Sequence, residues 1–158
     1  MATMNVVRAI LILFACMVVL VAGLLGFVWF EMDRSMRELH KREAVLLYQV
    51  NHQQLLDASR LIWQNGSNYG HDEGGYFEVA PDNPKLPAPI RSLSAHDISV
   101  FPSGVNIELG GQGEHYGFES IFSDPKKDTK RMVWKDDMPS TQLLPELWFY
   151  AENGIVPP

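Results

Sequence analysis

The sequence predicts an α+β protein: an N-terminal transmembrane helix continuing into a juxtamembrane helix that packs on a small antiparallel β-meander. Three observations carry this. Residues Ala9 to Phe30 are 22 consecutive positions without a charge, nearly all apolar. Residues 31–64 contain neither Pro nor Gly. Ten of the twelve glycines and all ten prolines lie from Gly66 onward, among short alternating apolar runs. The 158 residues therefore divide into a short tail and span (1–30), a juxtamembrane helix (31–64) and a small sheet domain (65–158). After the span, 128 residues are left, enough for one small domain. This excludes a large multidomain enzyme, a doubly wound nucleotide-binding domain and a polytopic transporter. The mean hydropathy of −0.08 averages over these unlike parts.

The first element is the span. At 1.5 Å per residue, 22 helical residues cover about 33 Å, close to the ~30 Å hydrocarbon core of a bilayer. Ala9, Phe14, Cys16, Leu20, Leu24 and Trp29 sample its length. Trp29 and Phe30 fall where an interfacial aromatic belt lies, and Arg8 can snorkel at the other end. A cleaved signal peptide has a shorter core and a small-x-small site, which Phe30-Glu31-Met32-Asp33 does not offer. Leu13-Phe14-Ala15-Cys16 matches a lipoprotein signal only loosely, and cleavage there would leave about 14 apolar residues at the new terminus. Gly23 and Gly26 are spaced G-x-x-G, not G-x-x-x-G. Orientation is contested. Counting Arg34, Arg37, Lys41 and Arg42 against Arg8 puts the C-terminal domain in the cytoplasm. Glu31, Asp33, Glu38 and Glu43 neutralise those charges, and a short tail before one helix is the plan of a signal anchor. The reading leans to an exported domain, on the periplasmic side of an inner membrane.

The second element continues the helix. Glu, Arg, Leu, Met, Gln and Ala dominate residues 31–64, all good helix formers. Met32, Met36, Leu39, Leu46 and Val50 recur at spacings of 4, 3, 7 and 4. The register then places Gln53, Asp57 and Arg60 on the seam, so the heptad lapses and a homodimer through residues 32–50 stays a minority reading. The apolar face shifts to Leu55, Leu56, Ser59 and Ile62, which would cover the sheet. Asn65-Gly66 favours a left-handed cap at the end.

The third element is the sheet. Tyr76 to Val79 is a short strand candidate. Pro81, Pro84, Pro87 and Pro89 predict an extended polyproline II segment. Asp97 to Leu109 is the clearest signal: Ile98, Val100, Val105, Ile107 and Leu109 alternate with polar residues around Phe101-Pro102-Ser103-Gly104. That spacing pairs Val100 with Val105 and Ile98 with Ile107. Further strands are expected at Tyr116 to Phe122, Arg131 to Trp134 and Leu147 to Tyr150. Trp63, Phe77, Tyr116, Phe118, Phe122, Trp134, Trp148 and Phe149 would supply the core, each ring worth ~1.5–3 kcal/mol on leaving water.

Charge limits the partners. From Leu61 onward there are 7 basic and 14 acidic residues, so a phosphate backbone is repelled and nucleic-acid binding is not expected. The basic cluster Lys126, Lys127, Lys130, Arg131 and Lys135 reads as a solvated turn and charged edge. Cys16 is the one cysteine, so no intrachain disulfide forms.

Candidate chemistry is sparse. Gly111, Gly113 and Gly117 approximate a dinucleotide fingerprint, but a strand follows where a helix is needed. The metal or acid/base candidates are His71, Asp72, Glu114 and His115, with Glu73 beside the first pair and His96-Asp97 third. Neighbouring loop carboxylates and imidazoles can converge on a cation, yet none of these matches H-E-x-x-H or an EF-hand spacing. Ser103 and Ser120 lack a G-x-S-x-G context. No catalytic residue and no cofactor is assigned. In Leu147-Trp148-Phe149-Tyr150 the outward half, Trp148 and Tyr150, is a candidate patch for a partner.

The pieces Leu86-Pro87, Ile90-Arg91, Ile107-Glu108-Leu109-Gly110-Gly111, His115-Tyr116-Gly117-Phe118 and Leu147-Trp148-Phe149-Tyr150 come in a familiar order. Over roughly Leu86 to Gly154 the chain resembles small, uncharacterised, single-pass membrane-anchored bacterial proteins of planctomycete-like genomes. The resemblance implies a bacterial source and carries no activity. The expectation is a domain tethered to the lipid bilayer that binds or scaffolds another membrane or membrane-proximal protein. The alternative is a small metal-dependent or hydrolytic enzyme using the loop His, Asp and Glu residues.

Overall fold

The structure, a computed structural model, describes residues 2–69, 75–110, 115–124, 134–152 and 154. Two compact units divide the chain, Met1–Arg42 and Glu43–Pro158. Helix α1 (Ala2–Tyr48) runs through the first and ends in the second. It is the one helix, among the described residues, long and apolar enough to cross a membrane. Every side chain from Leu11 to Phe30 is exposed. Past the apolar run, Arg37 pairs with Asp33 one turn back, and Lys41 Nζ lies 3.4 Å from Glu38 Oε1. These are the i,i+4 and i,i+3 spacings that bring side chains together on a helix.

The expected uninterrupted helix over 31–64 is two helices. Within the second unit, α1 buries Glu43, Leu46 and Leu47 and stops at Tyr48. Leu46, a seam position of the expected heptad, is thus covered by its own domain. Asn51 then starts α2 (His52–Gln64): its backbone is extended and its Oδ1 accepts a bond from the Gln54 N–H at 3.1 Å. That is ordinary N-cap chemistry, and it breaks the helix without Pro or Gly. His52 Nε2 sits 3.0 Å from the Leu46 carbonyl oxygen, which the end of α1 leaves without a helical partner. Helix α2 ends where Asn65-Gly66 predicts. However, Asn65 has φ −113°, not a left-handed value, and its backbone and side-chain N–H groups both donate to Leu61 O. A single 3₁₀ turn, Gly66–Asn68, follows.

The proline-rich stretch is not the extended segment expected. It forms turns and then a short helix, α3 (Ala88–Arg91), entered from Pro87 with Pro89 in its first turn and Ile90 buried. Proline lacks only an N–H that the first helical turn does not use, so it is tolerated there.

Among the described residues, six antiparallel strands form one sheet: β1 (Phe77–Glu78), β2 (Asp97–Phe101), β3 (Gly104–Glu108), β4 (Tyr116–Ile121), β5 (Ser140–Leu144) and β6 (Leu147–Ala151). Their order is β1-β2-β3-β4-β6-β5. The meander holds through four strands, and the closing hairpin then sets β6, not β5, beside β4. The β2–β3 register is the expected one, Val100 opposite Val105 and Ile98 opposite Ile107. The strands run further than the pattern implied, to a Phe101–Gly104 pair, so only Pro102 and Ser103 turn. A Cβ on Gly104 would stand 1.9 Å from the Ser120 carbonyl oxygen of β4, which is why that strand begins with glycine. Of the expected strand at Arg131 to Trp134, residues 131–133 lie outside the described residues. Trp134 opens a short helix, α4 (Trp134–Asp137), and β5 follows it unforeseen.

Cross-strand pairing sorts the side chains onto two faces. One row runs Ile98, Ile107, Phe118, Phe149 and the next runs Phe77, Val100, Val105, Ser120, Leu147. Helix α2 lies on this face. It buries Leu55, Leu56, Ala58, Ser59 and Ile62, and its His52 ring meets the Phe118 ring at 6.3 Å. This is the helix-covered sheet that the apolar positions of α2 predict. The opposite face carries Ser99, Asn106, Glu119 and Trp148 in one row and Asp97, Glu108, Gly117 and Tyr150 in the other.

Candidate functional site

Three places in the fold bear on function. The first is the apolar stretch of α1. Phe14, Cys16, Leu20, Leu24 and Trp29 are all exposed there, Trp29 by 73%, and Ala9 lies in the same helix. A helix apolar on every side, with none of these side chains covered by its own chain, has no stripe to turn toward a core. Gly23 and Gly26 have no other atom within 4 Å of a Cβ position, so they mark no close approach within the chain.

The second is the polar face of the sheet. It is not the solvated face that alternation usually gives: Ser99, Asn106 and Tyr150 are buried, and Glu119 is 0% exposed. Tyr150 lies across Gly117, where a Cβ would come within 2.9 Å of its hydroxyl and 2.1 Å of the Ile107 carbonyl oxygen. Burial pushes the Tyr150 phenol well above its ordinary pKa. The bond with Asn106 opposes this, and the Glu108, Glu119 and Asp97 carboxylates add to it. Tyr76, at the β1 end, is raised too, chiefly because its hydroxyl donates to Glu78 Oε1 at 2.5 Å. Ser99 Oγ donates to Asp97 Oδ2 at 2.7 Å.

At the rim of this face stands His115, just before β4. Its Nδ1 is 2.6 Å from Glu108 Oε1 on β3. Its backbone is fixed by two bonds to Glu152: the His115 N–H donates to Glu152 Oε2 at 3.3 Å, and the Glu152 N–H donates to His115 O at 2.8 Å. A carboxylate on Nδ1 fixes the imidazole's orientation, the arrangement used in acid/base sites and behind metal-bound histidines. Of the other metal candidates, His71, Asp72, Glu73 and Glu114 lie outside the described residues. His96 is exposed, and its backbone N–H donates to Glu108 O at 2.7 Å. Among the described residues no group of three or more His, Cys, Asp or Glu is placed to hold a metal ion.

Of the candidate patch on β6, the fold removes Tyr150 and leaves Trp148 partly exposed. Tyr150 is wholly buried and presents no surface, while Trp148 is half-buried opposite Glu119 and Gln142. Alternation alone sends both side chains away from the helix-covered face, but that second face is itself covered.

The third place was missed as a site, although its aromatics were expected in the core. At the other end of the sheet, α2 reaches three turns. Trp63 Nε1–H donates to Pro102 O at 3.1 Å in the β2–β3 turn. The Trp63 ring meets Phe122, just after β4, at 5.1 Å. Arg60 stacks 5.2 Å over the same Phe122 ring and pairs with Glu146 in the β5–β6 turn. Arg60, Trp63 and Phe122 are all half-exposed. Trp, Arg and aromatic rings at a partly open surface are the composition of protein-binding hot spots. The signal available in the sequence was the i,i+3 spacing of Arg60 and Trp63 on α2.

No protein-family model, curated protein or solved structure matches the chain.

Proposed function

We propose that the chain is a single-pass membrane-anchored protein whose C-terminal α+β domain binds or scaffolds another membrane or membrane-proximal protein. The observation that carries the anchor is the fully exposed apolar run of α1. Each such side chain left in water forfeits ~1.5–3 kcal/mol, and a bilayer removes that cost for all of them together. Partner binding is supported by the half-exposed Arg60, Trp63 and Phe122 cluster. The orientation proposed is that of a signal anchor, with the domain on the periplasmic side, Glu31, Asp33, Glu38 and Glu43 balancing the four positive charges that follow the apolar run.

Purification of the full chain from mild detergent tests the reading. A stoichiometric partner should be retained, and lost on Trp63→Ser while circular dichroism shows the domain still folded, at a lower melting temperature because the Pro102 bond and the Phe122 contact are gone. A lone monomer sinks the binding proposal. Recovery in the soluble fraction without detergent sinks the anchor. Protease cleavage of the domain in cells with a permeabilised outer membrane but an intact inner one supports export; full protection places it in the cytoplasm.

A second reading, a small metal-dependent or hydrolytic enzyme, is favoured by the His115–Glu108 pair alone. Metal analysis of the purified protein decides it. Bound zinc or manganese that His115→Ala removes would support it, and no bound metal with unchanged melting on adding either ion would reject the metal form.

A further inference from the structure

We draw no further inference here: the strongest candidate, the outer edge of strand β5 at the end of the sheet, is an uncharged five-residue strand, and nothing in the structure shows what covers it.

Discussion

Ser120 sits on the helix-covered face between Val105 and Leu147, buried, and its hydroxyl has no hydrogen-bond partner among the described residues. A buried polar group in that condition costs stability. Ser120→Ala should therefore raise stability by about 1 kcal/mol in urea unfolding; a loss of similar size would show that the hydroxyl is bonded after all. Tyr150 makes the opposite case, a phenol whose raised pKa belongs to the folded state. An unfolded tyrosine titrates near pH 10. The stability stored in the neutral phenol is thus complete below about pH 10 and is lost as pH rises from there toward the folded value. Tyr150→Phe should lower stability at pH 7, where the bond with Asn106 is gone, yet flatten the decline above pH 10. An unaltered alkaline limb would mean that Tyr150 does not titrate on unfolding. Alternation placed Tyr150 on the correct face but could not reveal that this face is covered. Burial of a second face comes from segments distant in the chain, and a period of two carries no record of them.

Elements differed in how much of them the residues declared. The β2–β3 hairpin was legible because alternation and the Pro102-Ser103 turn agree, and its register followed from length alone. Strand β5, Ser-Thr-Gln-Leu-Leu, alternates too little to announce itself and is held by its pairing with β6. The α1–α2 break was hidden because no Pro or Gly marks it; its traces were Asn51, a residue type suited to an N-cap, and the shift of the apolar face after Val50. Asn51 makes the break by capping, so Asn51→Ala should destabilise the domain by ~0.5–2 kcal/mol in thermal or urea unfolding. No change would mean that packing around Leu46, Leu47 and Leu55, rather than the cap, fixes the start of α2. Of the clasp of Arg60 and Trp63 on three turns, only their i,i+3 spacing on α2 was legible, for a different reason. It depends on which turns gather at one sheet end, and the inverted order of β5 and β6 decides that.

In the molecule as a whole, the boundary between units does not coincide with the boundary between helices. The C-terminal unit begins at Glu43, inside α1, and counts Leu46 and Leu47 in its core. A fragment of residues 43–158 should fold without detergent. One beginning at Asn51 should melt lower, since two buried leucines are each worth ~1.5–3 kcal/mol. Equal melting of the two fragments would show that the last turns of α1 contribute nothing to the domain. The long apolar helix, the α+β class and the covering helix were readable because each rests on composition or periodicity along one segment. The candidate sites were not, since His115 with Glu108 and Arg60 with Glu146 are joined only by the folded sheet.

The position of β6 bears on how the chain is made. Among the described residues it is the last strand in chain order, yet it stands inside the sheet and carries Phe149 and Tyr150 into both faces. Until residue 151 has left the ribosome, β4 is an open edge and β5 has no neighbour. The sheet can therefore begin with β1 to β4 and closes only when Leu147–Ala151 docks between β4 and β5.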